Sequence, residues 1–136
     1  MRKERHEEVL KEVLDEIGSA LSDKHGLLIH QRRLAFSISL GAVNLLELHL
    51  HNLNIMKVGS MIDHTWFKRS KKNVLDKLEM QITSPISSVK DIDGLVEIIR
   101  DIEEKRDDLA YGAPATEDVL QNKINLFFKL KKILKC

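Results

Sequence analysis

Cysteine is almost missing from this chain. Of 136 residues only Cys136 carries a thiol, so no disulfide can close within the chain, which fits a reducing compartment. A thiol on a chain end is also a poor place for a nucleophile. Proline occurs twice and glycine six times, and aromatics make up 4% of the residues, a composition that favours helices over a turn-rich sandwich or barrel. An excess of one charge is lacking as well. The 22 Lys and Arg balance 21 Asp and Glu to a net +1, so no global field advertises nucleic acid or a membrane surface. The opening MRKERHEEVL has charges where a signal peptide needs an apolar run. The greasiest run, LGAVNLLELHL, is broken by Asn44, Glu47 and His49 and falls short of a bilayer span. A soluble, cytoplasmic protein with no membrane partner is expected.

What is present is Leu, Ile, Lys and Glu, spaced at three and four. Val9, Leu10, Val13, Leu14, Ile17, Ala20 and Leu21 predict one apolar stripe on a first helix over about residues 2–24, ended by Gly26. A second helix, over about 27–53, is apolar on more than one side, and its small residues Ala35, Ser39 and Ala42 invite a close neighbour. Ser60 and Asp63 read as a capping pair that opens a third helix, carried by Met61, Ile62, Trp66, Phe67, Val74, Leu75 and Leu78 to about Ile82. After the loop around Pro85, Ser88 and Asp91 offer a second such pair for a fourth helix from Ile92 to Tyr111. Gly112 and Pro114 stop it, and Thr116 caps a last helix that ends in lysines. The fold class predicted is all-α: an antiparallel up-down bundle of four long helices plus a fifth, C-terminal helix, forming a single domain over 1–136.

Metal and cofactor chemistry find no footing. A di-iron bundle needs Glu-x-x-His pairs, and none of the histidines at 6, 25, 30, 49, 51 and 64 has an acid three residues before it. Glu47 and His51 share a face, but one pair does not make a metal site. No glycine-rich phosphate loop and no nucleophile elbow occur, so no cofactor is expected. The segment WFKRSKKN is more suggestive. Lys68, Arg69, Lys71 and Lys72 beside Trp66 and Phe67 have the makings of a nucleic-acid surface, with cations for phosphate and rings for stacking. Two plainer readings stand beside it. The aromatics can be core and the lysines a wet face, or the basic run can pair with the acidic Asp91, Asp93, Glu97, Asp101, Glu103 and Glu104, within one chain or across a dimer.

The stretch EKRDDLAYGAPATEDV, Glu104 to Val119, closes the penultimate helix and opens the last. Its RDDLAYG resembles the motif of HEPN domains, small helical bundles in which an arginine, a polar neighbour and a histidine sit at the end of the penultimate helix. Arg106 matches the arginine, Asp107 the polar neighbour and Tyr111 the histidine position, as in a subgroup with tyrosine there. The helical plan of the whole chain is similar too. The resemblance implies a homodimer whose paired motifs form a polar cleft, with metal-independent RNA cleavage as the family's best-known activity: the arginine steadies the scissile phosphate and the histidine moves a proton. It also implies a possible protein partner, a small nucleotidyltransferase in a toxin–antitoxin pair, with nucleotide attached to a tyrosine two residues past the histidine. Ala113 stands at that position here. Tyr111 departs from the motif where proton transfer is needed, because a phenol gives up its proton far less readily than an imidazolium.

Three functions are therefore expected in competition. The first is a dimer binding RNA or a nucleotide-bearing partner through Arg106, Asp107 and Tyr111, with help from Lys68, Arg69, Lys71 and Lys72. The second is a ribonuclease using Arg106 and Tyr111, or a different base such as His30, His49 or His64. The third is a non-catalytic protein–protein interaction module in which 104–119 is only a corner. Whether the protein is an enzyme stays open at this level.

Overall fold

A computed structural model describes residues 3–135 and makes the chain all-helical. Cys136 lies outside the described residues. Six α-helices follow one another: α1 (Lys3–Ser22), α2 (Gln31–Asn52), α3 (Lys71–Glu79), α4 (Ile92–Glu103), α5 (Arg106–Tyr111) and α6 (Glu117–Ile133). Short 3-10 turns at Leu28–His30, His64–Lys68 and Ile86–Ser88 join them. Among the described residues there is no strand, only an isolated antiparallel bridge between Met56 and Ile82.

α2 is the central element and packs against α1, α4, α5 and α6. Fourteen of its residues from Gln31 to Leu50 are buried, which explains the weak one-sided pattern of its sequence. By length and composition Leu28–Asn52 is apolar enough to cross a membrane, a longer stretch than the run first singled out, but 72% of its apolar 18-residue window is buried inside the protein. Gly41 lets α1 and α6 converge on α2: a Cβ there would lie 2.6 Å from Phe127 and 2.9 Å from Val13. α1 runs antiparallel to α2. His6 meets Asn44 near one end, and Glu16 meets His30 and Arg33 near the other. One core joins all the helices, with Phe67, Phe127, Ile17, Leu34, Leu45, Leu78, Leu95 and Ile99 among its fully buried side chains.

A polar cluster is sealed between α1 and α2. Asn44 donates through Nδ2 to the Leu40 carbonyl, so its Oδ1 accepts from His6 Nδ1 at 2.8 Å. Glu47 accepts from the Ile62 amide and sets its other oxygen 3.3 Å from His6 Nε2, without the alignment of a hydrogen bond. Burial holds the nearby His49 and His51 below the ordinary imidazole range; for His51 the His6 charge adds to it.

Four expected boundaries are corrected. The third helix does not begin at Ser60. Asp63 instead caps the 3-10 turn by accepting from the Thr65 amide, and Ser70 caps α3 by accepting from Asn73, so Met61, Ile62, Trp66 and Phe67 precede the helix. Ser88 and Asp91 do not form a capping pair: Ser88 closes its own turn onto Pro85, and Asp91 adopts a left-handed backbone without a side-chain cap. The fourth helix is broken at Glu104–Lys105, Lys105 taking φ 60°. The break has a cause outside the segment. Lys123 of α6 donates to the carbonyls of Asp101 and Glu104, supplying the acceptors' partner that continued helix would have supplied. Thr116 acts as expected, accepting from the Val119 amide, whereas Gly26 takes φ 91° but does not cap α1: the helix ends at Ser22, and Gly26 closes a separate turn by donating to the Asp23 carbonyl.

Candidate functional site

The broken helix is what shapes the site. The chain turns at Lys105, and at the start of α5 Asp107 meets the 3-10 turn that precedes α3 while Arg106 lies over Phe36 of α2. That turn presents Lys68 to Asp107 at 2.6 Å and His64 to Glu103 at 2.6 Å. A cleft of about 370 Å³ lies between the turn and the α4–α5 junction, lined by Lys68, Arg100, Glu103, Arg106 and Asp107 among others.

Arg106 is the best-seated cation. Its guanidinium lies over the Phe36 ring, 4.8 Å from the centroid, and its Nη1 donates to Asp107 at 3.0 Å. Only 14% of the side chain is exposed, and its buried Nε has no partner. Stacking plus one ion pair leaves part of the planar fork uncommitted, the geometry that suits arginine to phosphate. Asp107 therefore accepts from two cations, Lys68 and Arg106. Those bonds, Lys68's first, hold its carboxyl below the usual range, and the Asp107 bond in turn raises Lys68.

Tyr111 closes the group at the other end of α5. It is 73% exposed and sets its ring edge-on to Phe36, with centroids 5.8 Å apart. Arg106 and Tyr111 thus meet on the same α2 side chain. Phe36 and Leu40, one turn apart on α2, and Ile29 in the 3-10 turn before it are exposed apolar side chains.

The basic run divides. Lys68, Arg69, Lys71 and Lys72 are all exposed, but only Lys68 lines the cleft. Lys71 lies 3.7 Å from Asp93, and Arg69 contributes its carbonyl to Arg100 Nε. Lys72 has none of these contacts. The acidic helix α4 and the basic segment therefore pair within one chain at Lys71–Asp93. Phe67 is buried in the core, and Trp66 is half-buried with the Lys77 ammonium 5.7 Å above its ring, so the aromatics of this run are structural.

No family model matches this chain, and neither a curated protein nor a solved structure is similar to it.

The site must be read from its own groups. Among the described residues no cluster of three or more His, Cys, Asp or Glu side chains is placed to hold a metal ion. The motif resemblance pointed to Arg106, Asp107 and Tyr111, and the composition of the basic run pointed to Lys68, Arg69, Lys71 and Lys72. They did not point to Phe36, Ser39 or Glu103. Phe36 gave a weak signal as a large aromatic off the buried stripe of α2. Ser39 passed as a small packing residue, yet its hydroxyl donates to Glu103 at 2.7 Å, and Glu103, 3% exposed, passed as one acid in a wet row.

Proposed function

We propose that this protein binds RNA or a nucleotide-bearing partner at the α4–α5 junction, as a HEPN-like antiparallel bundle acting as a homodimer. The observation that carries the reading is the convergence of Arg106 and Lys68, from separate elements, on the one exposed carboxylate of Asp107. A phosphate that displaces the Asp107 carboxylate takes over both cations, and it gains from Arg106 the part of the fork that Asp107 does not use. Tyr111 and Phe36 offer ring surface beside it for a base. The exposed side chains of Ile29, Phe36, Leu40 and Tyr111 support the second copy as the surface that meets this face. A small nucleotidyltransferase as protein partner belongs to the same reading and rests on the resemblance of the motif, while a cytoplasmic place of action rests on the near-absence of cysteine.

Direct cleavage through Tyr111 is the weaker version. A phenol that touches only an aromatic edge has nothing to draw its proton away.

Fluorescence anisotropy with a labelled single-stranded RNA tests the reading, alongside size-exclusion chromatography with light scattering. Wild type should bind with a steep salt dependence and run as a dimer. Arg106→Ala and Lys68→Ala should each weaken binding, Arg106→Ala more, because it removes a fork rather than a point charge. A strict monomer with no affinity for RNA or mononucleotide sinks the proposal.

A further inference from the structure

We propose that Lys123 of α6 is a nucleophilic site for short acyl thioesters, and that its acylation reverses the break between α4 and α5. Its partners set it apart from other lysines. Lys68 and Lys71 reach carboxylates, and Lys77 lies over the Trp66 ring. Lys123 instead ends between two backbone carbonyls, those of Asp101 at 2.5 Å and Glu104 at 2.7 Å. A neutral amine has two N–H donors and one lone pair. The two carbonyls take both donors and leave the lone pair over, whereas an ammonium carries a third proton beyond those that the carbonyls take.

The surroundings favour the neutral form. The side chain is half-buried. Burial is the main cause that holds the Lys123 ammonium below the ordinary lysine range; Lys105 adds to it, against the carboxylates of Glu104, Asp101 and Glu103. Desolvation of this kind is an ordinary route to a nucleophilic lysine. Access comes from an open cleft of about 500 Å³ that Lys123 itself lines, with Leu109, Ala115 and Val119 as apolar wall and Glu104, Asp108 and Asp118 as acids. That lining admits a short acyl chain on a neutral donor and repels an anionic one.

In the reaction the amine lone pair attacks the thioester carbonyl carbon. The N–C bond forms and the C–S bond breaks. The proton that the nitrogen gives up goes to the departing thiolate, so the products are an amide and a thiol. The amide keeps one N–H where the amine had two, and it carries no charge. One of the two carbonyls then lacks its donor. In a helix each of them is served by the amide four residues on, Asp101 by Lys105 and Glu104 by Asp108. Acylated Lys123 therefore favours the single helix that the local pattern specifies from Ile92 to Tyr111, and Lys105 gives up its φ of 60°. Because α5 begins at Arg106, the same change moves the residues that meet Lys68 and Phe36. The modification thus reaches the junction from the far side of α6.

The test treats the wild-type protein near neutral pH with limiting S-acetyl-N-acetylcysteamine, a neutral acetyl thioester. Acetylation of each lysine is read by peptide mass spectrometry. Lys123 should react at least about tenfold faster than the exposed Lys72. Lys68, whose ammonium the Asp107 bond stabilises, should lag behind both. In the acetylated protein the Lys105 and Asp108 amides should gain protection from hydrogen exchange. Lys123→Arg, which keeps donors for the carbonyls, should show no such gain after the same treatment. Acetylation of Lys123 no faster than that of Lys72 overturns the nucleophile. Rapid acetylation that leaves the Lys105 and Asp108 amides unchanged, or that strips protection from all of α4 and α5, overturns the rejoining of the two helices.

Discussion

The Lys68 ammonium lies 2.6 Å from the Asp107 carboxylate, a contact spanning 39 residues that ties the turn before α3 to the first turn of α5. It depresses the Asp107 carboxyl, with Arg106 adding to the effect. A carboxyl whose folded value is lowered gives stability above its unfolded value of about 3.9, and that stability is lost as pH falls through the lower folded value. Both groups face solvent, so the effect on stability is small and the titration itself is the better probe. By NMR, Asp107 should titrate below the ordinary carboxylate range in the wild type. In Lys68→Ala its midpoint should move up but stay short of the free value, because Arg106 remains. A midpoint indifferent to Lys68→Ala would show that the bridge does not persist in solution.

Two glycines should respond in opposite directions to alanine. At Gly41 the new methyl meets Phe127 and Val13 well inside contact distance, and both neighbours belong to the core. Gly41→Ala should destabilise the fold by about 1–3 kcal/mol, read from chemical denaturation. Gly18, exposed on α1 with nothing near its Cβ direction, should gain about 0.5–1 kcal/mol on the same change through helix propensity alone. Equal responses would deny the close approach of α1, α2 and α6.

The contrast between these glycines shows how far the sequence could be read. Local signals were legible: the stripes of α1 and α4 and the Thr116 cap act where their chemistry requires. Competing local signals were misread, as at Ser60, where the nearer caps Asp63 and Ser70 win. Distant partners were out of reach. The break after Glu103 depends on Lys123 of α6, which no window around Lys105 contains. The site divides in the same way. Arg106, Asp107 and Tyr111 form a local pattern, whereas Phe36, Ser39 and His64 join them only through the packing of α2 and a 3-10 turn against the junction.

Glu47 should be costly to remove. It is 6% exposed, accepts from the Ile62 amide, and stands opposite His6, which is fully buried. Glu47→Ala strands the Ile62 amide in the core and leaves His6 held by Asn44 alone, a loss of about 1–3 kcal/mol. Glu47→Gln keeps an acceptor for Ile62 and should cost less. Hydrogen exchange separates the two effects: the Ile62 amide should lose protection in Glu47→Ala and retain most of it in Glu47→Gln. Equal protection in both variants would mean that Ile62 is held by something other than this carboxylate.

Gly26 and Glu117 form the other long-range clasp, and a double-mutant cycle can resolve its parts. Glu117 at the start of α6 accepts from the Leu27 amide at 2.9 Å, and a Cβ on Gly26 would come 2.5 Å from its Oε1. Gly26 also holds φ 91°, so Gly26→Ala carries a backbone penalty of about 1 kcal/mol or more in any background. In the wild type it should cost more than that, because the methyl displaces the carboxylate from Leu27. Glu117→Ala alone should cost about 1–3 kcal/mol, since it strands a backbone amide that a charged group had satisfied. Once Glu117 is gone, the methyl has nothing to displace, and only the backbone part of the Gly26→Ala penalty remains. The double variant should therefore be more stable than the two single losses added together. Strict additivity would mean that the carboxylate does not sit over the Gly26 turn, and that α6 is joined to the α1–α2 corner by apolar packing alone.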